Sequence, residues 1–365
     1  MDARQVVVTG FRNIGHLDLA LPSEGAVFLG PNGQGKTNLL EAIYYPVLFR
    51  SLRSAKDTEL VRQGDAGFRV HLELTDPTGP RSIEAGFLTA GRRKRVAVDG
   101  AESPRLTEAL GVWLAVAFLP SDVALIAGSA SERRQFLDRV LALSDTRYLR
   151  SLRQYRAAVD QRNAALRKGD AASAMAFDPI VARHGAPVVE ARLRWVERCG
   201  PSWRGTCAAL GEPIDVGLDY RGRSDLAEPA AWPGALADAR SRDLATGSTS
   251  VGPHRDDLAL RLGEVPLRVA GSTGQHRTAA VALKLVEWDT LREAHGTPPA
   301  LLLDDVFAEL DRNRQDRLAE RLLAAPGCQV FVTAPRPDEL PAALHLPVFD
   351  VFRGEVTRQS APRAA

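Results

Sequence analysis

The chain has 365 residues and a nearly balanced charge, with 47 lysines and arginines against 45 aspartates and glutamates and a formal net charge of +2. Hydrophobic residues make up 45% and charged residues 25%, a composition typical of a soluble globular chain of about two domains. These values exclude a disordered chain, a collagen-like or disulfide-stapled scaffold and a supercharged nucleic-acid tail.

The N-terminal third is predicted to combine strands with one helix. Apolar stretches separated by turn residues predict short strands within residues 5–29 and over 68–74, 82–87 and 95–98. Apolar residues at helical spacing predict a helix from Asn38 onward. This part of the chain therefore has a strand-rich α/β pattern.

The middle of the chain is predicted to be helical. From Ser131 to Val159, apolar residues recur at helical spacing with arginines between them, which is typical of an amphipathic helix. A further helix is expected to begin at Pro187, and the Ala-rich residues 169–176 between the two predict a bend.

The C-terminal part returns to alternating strands and helices. Strands are predicted over 258–262, 300–303 and 329–333, and helices over 274–291 and 312–324. Because both ends of the chain share the same α/β pattern, we expect them to form one domain that carries the helical middle as an insertion.

A glycine-rich loop follows the third predicted strand and precedes the first predicted helix. Its residues fit G-x-x-x-x-G-K-[ST], in which backbone N–H groups and the helix N-terminus cradle phosphate oxygens. Lys36 would reach the β- and γ-phosphates, and the Thr37 hydroxyl would bind Mg²⁺. Only five of the 47 basic residues are lysines, so a lysine at this position favours a role for the ammonium itself. The predicted nucleotide-binding residues are Gly30, Pro31, Asn32, Gly33, Gln34, Gly35, Lys36, Thr37 and Asn38.

A second motif lies far downstream, at the end of the apolar strand that begins at Ala300. Asp304 and Asp305 follow this strand as in a Walker B motif, where the first carboxylate holds Mg²⁺ and the second polarises the attacking water. An apolar strand that ends in aspartate is common, but the phosphate loop in the same chain favours the functional interpretation. The gap of about 270 residues between the two motifs fits an insertion.

A third motif, S-x-G-Q, precedes the helix predicted over 274–291. Ser272, Gly274 and Gln275 would form an anion site at that helix N-terminus, although the same pattern alone could be a simple N-cap. A second phosphate-binding helix end is redundant unless it serves another nucleotide. That is the logic of an ABC-type dimer, in which the signature of one subunit closes on the γ-phosphate held by the other. The stretch Glu309–Asp311 follows at the place of a D-loop.

Together these motifs predict an α/β fold, a P-loop ABC-type ATPase head with a strand-rich edge and an inserted, mainly helical arm domain. We place the head at residues 1–122 and 248–365 and the arm at residues 123–247. The alternative is the nucleotide-binding subunit of an ABC transporter, which would require a membrane partner.

Several blocks of the chain resemble the RecF family, bacterial recombination-mediator ATPases related to the heads of SMC proteins. The resemblance covers nearly the whole chain and rests on residues 11–13, 30–43, 50–53, 118–122, 132–138, 252–257, 272–275 and 302–311. It implies ATP and Mg²⁺ as cofactors, with Arg12 and Asn13 added to the ATP site. It also implies that Lys36 and Asp305 are catalytic residues.

The same resemblance implies partners and a cellular role. The family pattern is an ATP-dependent homodimer that binds double-stranded DNA and gap junctions and hydrolyses ATP slowly, with stimulation by DNA. Such a protein helps to load RecA on gapped DNA together with RecR and RecO. It would therefore act in DNA replication, in recombination and in the repair of DNA damage during the SOS response.

Two positions depart from general ABC heads. Asp305 stands where most ABC proteins have glutamate, and Thr333-Ala-Pro stands where a switch histidine is expected. A shorter carboxylate lies farther from the attacking water, and one γ-phosphate contact is lost, so we expect slow hydrolysis. No Gln loop is readable in the sequence, and Asp122 is our candidate for that position.

Local basic clusters are the candidates for DNA binding. Residues 131–168 contain ten basic and four acidic side chains, and a second cluster lies beside a predicted strand. Such clusters give salt-dependent, largely sequence-independent binding to phosphates, but in an arginine-rich chain they could equally be solvated helix faces. The candidate contacts are Arg92, Arg93, Lys94, Arg95, Arg147, Arg150 and Arg153.

The remaining features favour structural roles and a cytoplasmic location. His254 and Arg255 are expected to stabilise a turn through local hydrogen bonds, and the five tryptophans are expected to pack in the core. Three cysteines without CxxC spacing argue against disulfides and against a zinc site. No secretion signal or apolar stretch long enough for a membrane helix is visible, so we expect a cytoplasmic protein without a membrane partner.

Overall fold

The computed structural model describes residues 1–76, 79–212, 215–324 and 327–359. Its strands, in chain order, are β1 (Asp2–Phe11), β2 (Ile14–Ala20), β3 (Gly25–Leu29), β4 (Gly67–Asp76), β5 (Gly79–Leu88), β6 (Arg93–Val98), β7 (Ala101–Glu102), β8 (Ala115–Phe118), β9 (Val216–Arg221), β10 (Asp257–Leu262), β11 (Val265–Pro266), β12 (Ala300–Asp304), β13 (Val330–Ala334), β14 (Val348–Phe352) and β15 (Glu355–Arg358). Its α-helices are α1 (Lys36–Leu48), α2 (Asp57–Leu60), α3 (Ala124–Ala127), α4 (Ala130–Ser144), α5 (Thr146–Arg167), α6 (Ala171–Ala176), α7 (Asp178–Ala209), α8 (Trp232–Thr246), α9 (Leu267–Ala270), α10 (Thr273–His295) and α11 (Arg312–Leu323).

Contacts between Cα atoms divide the chain into two compact units. The first unit contains Met1–Asp122 together with the chain from His295 onward, and the second unit contains Val123–Ala294. The sequence placed residues 248–294 with the head, whereas the structure groups them with the helical arm.

The reason for this different boundary is packing within the second unit. Strand β10 pairs antiparallel with β9, so the chain after residue 248 continues a sheet that starts in the arm. Helix α10 is bound to α7, since the Trp203 indole donates to the Ala279 carbonyl and the Trp195 indole donates to Thr290 Oγ1. The S-x-G-Q motif therefore belongs to the second unit.

The first unit is built on two six-stranded sheets. One sheet has the order β15-β14-β3-β13-β12-β8, in which all neighbours pair in parallel except β15, which is antiparallel to β14. Every residue of β3, β12 and β13 is buried, as expected at the centre of a parallel sheet. Parallel pairing brings the carboxyl ends of these three strands to one edge, where ligand sites in such sheets form.

The other sheet is antiparallel, with the order β2-β1-β4-β5-β6-β7, and it provides the strand-rich part of the first unit. Helix α1 packs against strands of both sheets, which explains why ten of its 13 residues are buried. The Tyr45 ring of α1 meets the Phe68 ring edge to face at 5.0 Å between centroids, and Phe68 meets Phe11 in the same way at 5.1 Å. This helix therefore has little freedom to move relative to the sheets.

The second unit is mainly helical around the small antiparallel sheet β11-β10-β9. Its core contains four of the five tryptophans, and the fifth, Trp113, lies in the core of the first unit. All five are less than 2% exposed, which confirms their predicted packing role. None of the helices in the described part of the chain is long and apolar enough to cross a membrane.

Helix α7 begins earlier than predicted and continues through Pro187 and Pro201. A proline inside a helix removes one backbone hydrogen bond, so dense packing must offset the loss. Gly185 illustrates that packing, because a Cβ at this position would lie 2.4 Å from the Trp232 ring. The bend predicted over 169–176 contains the short helix α6, whose first turn is capped by the Asp170 carboxylate.

Candidate nucleotide-binding site

The phosphate loop, Gly30–Thr37, connects β3 to α1 at the carboxyl edge of the parallel sheet. Gly30 and Gly35 have φ values of 154° and 117°, and a Cβ at Gly30 would lie 2.3 Å from the Val351 carbonyl oxygen. Gly35 is the N-cap of α1 and supplies no side-chain cap, so the first N–H groups of the helix are left for a ligand. This geometry is that of an anion site at a helix N-terminus.

Lys36 lies over the phosphate loop rather than in solvent. It is 4% exposed, and its Nζ donates to the Gly30 carbonyl at 2.6 Å and to the Pro31 carbonyl at 3.3 Å. The same Nζ also donates to Asn32 Oδ1 at 3.4 Å. The ammonium thus places its charge at the loop that the sequence predicts to hold phosphates.

Asn13 and Asn38 fix the outer side of the loop. Asn13 Nδ2 donates to the Gln34 carbonyl at 3.0 Å, and Asn38 Nδ2 donates to Asn13 Oδ1 at 2.8 Å. The turn between β14 and β15 adds a contact, because the Arg353 backbone N–H donates to Gln34 Oε1 at 3.0 Å. Asn13, Gln34 and Asn38 therefore shape the loop through protein contacts.

A fully buried carboxylate, Glu41, binds two arginines beside the loop. Arg12 Nε lies 3.0 Å and Arg53 Nη2 lies 2.6 Å from Glu41 Oε2, and Ser51 Oγ donates to Oε1 at 2.5 Å. Burial raises the pKa of Glu41, but the hydrogen bonds from Arg53, Ser51 and Arg12 outweigh burial and hold the pKa below its ordinary value. Arg53 also donates to Asn38 Oδ1 at 2.6 Å, which joins this cluster to the loop.

Sequence reasoning included Arg12 but missed Glu41 and Arg53 as site residues. The available signal was the charge of Glu41 on a helix that is otherwise apolar over residues 39–45. A carboxylate at a buried helical position requires cationic partners, so it points to nearby arginines.

The Walker B carboxylate and the phosphate loop meet at the carboxyl ends of β3 and β12. Thr37 Oγ1 lies 2.8 Å from Asp304 Oδ1 and 2.9 Å from Oδ2, although the two residues are 267 positions apart. Burial raises the pKa of Asp304, and the hydroxyls of Thr37 and Thr333 act in the opposite direction.

These two oxygen-bearing residues fit a magnesium ion. Mg²⁺ in nucleotide sites binds one or two protein oxygens together with phosphate oxygens and waters. A hydroxyl and a carboxylate within hydrogen-bond distance supply that donor set. In the described residues no group of three or more His, Cys, Asp or Glu side chains is placed to hold a metal ion by itself.

Asp305 follows the Walker B strand in an unusual backbone conformation. Its φ is 50°, in the left-handed region that is uncommon outside glycine and that aspartate enters more often than most residues. Burial raises the pKa of Asp305, and the neighbouring Asp304 carboxylate raises it further. A raised pKa makes this carboxylate a stronger base than an ordinary aspartate.

The signature residues lie at the N-terminus of α10 in the second unit. The Ser272 backbone N–H donates to Gln275 Oε1 at 2.8 Å, and the Gln275 backbone N–H donates to Ser272 Oγ at 3.2 Å. This reciprocal arrangement is a capping box, with Gly274 between the two partners. The predicted N-cap geometry is thus present, and the exposed helix end is also compatible with an anion site.

Asp122, the candidate for the Gln-loop position, binds a backbone group of its own turn. Its carboxylate accepts a hydrogen bond from the Leu119 backbone N–H at 2.7 Å. This contact shapes the turn after β8.

Much of the predicted basic stretch is neutralised inside the second unit. Arg133 pairs with Asp257 at 2.8 Å, and Arg162 pairs with Asp243 at 2.7 Å. Further pairs join Arg139 to Glu287, Arg156 to Asp138 and Arg162 to Asp178. These contacts tie helices together, so the excess of positive charge counted in the sequence is larger than the excess at the surface.

The predicted DNA contacts on α5 are exposed. The Arg147 side chain is 87% exposed and pairs with Asp145 at 3.3 Å. Arg150 and Arg153 are exposed and form no ion pair within the described ranges. Three arginines on one side of α5 are therefore available to a ligand.

The second basic cluster divides between the surface and the interior. Arg92, Arg93 and Arg95 are exposed, whereas Lys94 binds the Asp57 carboxylate at 2.9 Å and lies 5.6 Å from the Tyr45 ring centroid. Alternation along β6 explains this difference, because successive side chains point to opposite faces. Lys94 therefore stabilises the first unit and is not placed for a surface contact.

The Gly252–Asp257 block forms a hydrogen-bonded turn, as expected. His254 Nε2 binds the Thr249 carbonyl at 2.9 Å while Nδ1 faces the Tyr155 hydroxyl at 2.5 Å. Arg255 Nε donates to the same carbonyl at 3.1 Å. Burial lowers the pKa of His254 to about 4, so the imidazole is neutral at physiological pH.

Sequence comparison identifies relatives that cover nearly the whole chain. No family model matches the chain. The chain is 37% identical over 384 residues to the DNA replication and repair protein RecF of Frankia alni. The aligned region covers 99% of this chain and 100% of that protein. The chain is 34% identical to RecF of Streptomyces avermitilis, with 98% and 100% covered.

Solved structures agree with these relatives. A structure of the recombination mediator protein RecF with ATP in the RecFOR pathway has a TM-score of 0.89 at 30% identity and covers 98% of both chains. The SMC head domain of Pyrococcus furiosus has a TM-score of 0.59 at 15% identity, with 98% and 96% covered. The predicted fold class, an α/β ABC-type ATPase head, is confirmed.

Proposed function

Because the chain belongs to the RecF family of DNA replication and repair proteins, we propose that it is an ATP-switched DNA clamp that acts as a recombination mediator. The observation that carries the proposal is the pair of hydrogen bonds between Thr37 and Asp304, which joins a phosphate loop to a Walker B carboxylate. Membership of this family also overturns the transporter-subunit alternative.

ATP binding in this proposal uses the residues of the first unit. The loop N–H groups and Lys36 hold the β- and γ-phosphates, while Thr37 and Asp304 hold Mg²⁺. Bound there, Mg²⁺ supplies positive charge that stabilises the phosphates during hydrolysis. The Arg12 and Arg53 side chains, fixed by Glu41, add positive charge beside the loop.

Asp305 is the proposed general base. It accepts the proton of the attacking water while the water oxygen bonds to the γ-phosphorus and the bond to the bridging oxygen breaks, releasing ADP. Its side chain is shorter than glutamate, and Thr333-Ala-Pro lacks the switch histidine of other ABC heads. Hydrolysis is therefore slow and acts as a timer on the bound state, with stimulation by DNA.

ATP also controls dimerisation in this proposal. The helix end at Ser272, Gly274 and Gln275 of one subunit closes on the γ-phosphate held by the other. Two subunits then bury two ATP molecules, and hydrolysis releases the dimer.

DNA binding is assigned to exposed arginines. Arg147, Arg150 and Arg153 on α5, with Arg92, Arg93 and Arg95 on the first unit, neutralise backbone phosphates without reading bases. The DNA is double-stranded and includes the junctions of gaps. RecR and RecO are the proposed protein partners in loading RecA on gapped DNA in the cytoplasm, since the related RecF acts in the RecFOR pathway.

Oligomeric state and DNA binding with and without ATP test this proposal. We expect the parent protein to form dimers with ATP and Mg²⁺. We expect it to reduce the gel mobility of gapped duplex DNA only under those conditions. Lys36→Arg keeps the charge but replaces a compact ammonium by a wide planar fork, so it should do neither. Lys168→Arg, an exposed lysine at the end of α5, is the matched control and should behave as the parent. A parent protein that stays monomeric and leaves the DNA unshifted with ATP would contradict the proposal.

A further inference from the structure

Strand β13 places a threonine hydroxyl between the two Walker B residues. Thr333 is 1% exposed, and strand pairing sets it opposite Asp304. Thr333 Oγ1 lies 2.9 Å from Asp304 Oδ1 and accepts a hydrogen bond from the Asp305 backbone N–H at 3.0 Å. The Asp305 carboxylate oxygen is farther away, at 3.4 Å.

The hydrogen-bonding capacity of a hydroxyl fixes the direction of these contacts. A threonine has one O–H to donate and lone pairs to accept. Because the Asp305 N–H already points to Oγ1, which accepts it, the single hydrogen of the hydroxyl is directed to Asp304 Oδ1. Thr333 is thus bonded to the backbone of one carboxylate residue and to the side chain of the other.

The bond to Asp305 coincides with the strained part of the backbone. A residue with a side chain at a φ of 50° occupies a sparsely populated region, and it stays there only when surrounding contacts fix it. The Thr333 hydroxyl provides such a contact from a buried, fully paired strand. A shift of Thr333 would therefore change the direction in which the Asp305 side chain points.

We propose that Thr333 is a positioning residue for ATP hydrolysis, which holds the Asp305 backbone so that its carboxylate faces the attacking water and couples it to Asp304. This inference rests on the proposed ATPase function. It gives a role to the strand end at which other ABC heads carry a switch histidine. Here Thr333 supplies a hydroxyl to the Asp304 carboxylate and to the Asp305 backbone N–H.

Two substitutions separate the hydroxyl from the shape of the side chain. Thr333→Val keeps the volume and removes the hydroxyl, and we expect the kcat of ATP hydrolysis to fall about tenfold, the effect of one charge-assisted hydrogen bond at the reacting groups. KM and the affinity for a fluorescent ATP analogue should stay within about twofold, because the phosphate loop is unchanged. Thr333→Ser keeps the hydroxyl and should retain kcat within about twofold of the parent.

A double-mutant cycle measured by urea unfolding gives a readout that does not depend on hydrolysis. Thr333→Val should lower the urea midpoint of the parent more than it lowers the midpoint of Asp305→Gly, because glycine adopts a positive φ without strain. If Thr333→Val does not fold, Thr333→Cys replaces it, since a thiol of similar size is only a weak hydrogen-bonding group.

The outcomes distinguish this inference from the function it rests on. Parent-like kcat in Thr333→Val or Thr333→Cys, or a loss in Thr333→Ser equal to that in Thr333→Val, would overturn the positioning role. An Asp305→Asn protein that hydrolyses ATP at the parent rate would instead remove the base assignment. A lower kcat in Asp305→Asn and in Thr333→Val, together with a parent-like kcat in Thr333→Ser, supports both the base assignment of Asp305 and the positioning role of Thr333.

Discussion

Glu41 shows at the scale of single residues how a buried charge organises the proposed ATP site. Its carboxylate is 0% exposed and binds Arg12 and Arg53, which are themselves partly solvent-accessible. Leaving a carboxylate uncompensated at such a depth would be costly, so the arginines are held in fixed positions next to the phosphate loop. Arg53 then links to the loop through Asn38.

His254 gives the residue-scale prediction for pH. Burial lowers its pKa to about 4 in the folded protein, against an ordinary value of 6.5. Between these values the unfolded chain binds a proton that the folded protein does not, so stability falls as the pH is lowered from about 6.5 to about 4. The contribution is on the order of 3 kcal/mol. Urea unfolding at pH 7 and pH 4.5 measures it.

His254→Gln removes the titrating group and serves as the comparison. Its free energy of unfolding should be lower than that of the parent at pH 7, because the contacts to Tyr155 and Thr249 are altered. The difference between the two proteins should shrink on acidification. An equal difference at both pH values would show that His254 does not carry the pH dependence.

At the scale of elements, the N-terminus of α10 has two roles that one substitution can separate. Gln275 closes the capping box on Ser272, and it also lies where the proposed dimer would contact the γ-phosphate of the partner. Gln275→Glu preserves the capping box, since glutamate is a usual residue at that position, and adds negative charge favourable to the helix dipole. The same charge would repel a phosphate.

We therefore expect Gln275→Glu to melt at or slightly above the parent temperature without nucleotide and to stay monomeric with ATP. Differential scanning calorimetry and analytical ultracentrifugation measure these two properties. Gln275→Asn, which stays neutral but is too short for the box, should melt lower. If Gln275→Glu dimerised with ATP as the parent does, the motif would be a helix cap alone.

Helix α7 shows why element boundaries depend on packing. The helical spacing of apolar residues predicts a start at Pro187, yet the helix runs from Asp178. Close packing of Gly185 on Trp232 and Tyr155 stabilises the turn before the proline. The backbone hydrogen bond that Pro187 cannot donate is therefore a local loss in a long helix that is buried along one face.

For the molecule as a whole, the net charge of +2 is an average over regions of different character. Many arginines of residues 131–168 are used in internal pairs, and the exposed ones on α5 remain as a local positive field. We expect Arg147→Gln, Arg150→Gln and Arg153→Gln together to weaken duplex DNA binding. The slope of log K against log salt should become shallower by about two to three, since about one counterion is released per phosphate contact. Fluorescence anisotropy at several salt concentrations measures both effects.

A second triple variant controls for the loss of charge. Arg183→Gln, Arg194→Gln and Arg198→Gln remove the same charge from exposed positions on α7. If both triple variants change the slope equally, the effect reflects net charge, and the α5 surface is not the DNA contact.

The sequence by itself determined the features that depend on contiguous residues. The phosphate loop is a run of eight residues whose glycine conformations and lysine are set locally, and the apolar strand before Asp304 is readable from its composition. Hydrophobic spacing likewise predicted the strands over 68–74 and 300–303, but it did not predict β8, β9, β14, β15 or α8. Local backbone preference and hydrophobic spacing are enough for the loop and for the predicted strands.

Only the tertiary structure decided which distant residues meet. The contacts of Asp304 with Thr37 and Thr333 depend on the order of strands in the parallel sheet, and the pairing of Lys94 with Asp57 depends on which face of β6 is covered. The boundary at residue 295 depends on α10 packing on α7. Such contacts join residues tens to hundreds of positions apart, so sequence spacing cannot specify them, and long-range packing must.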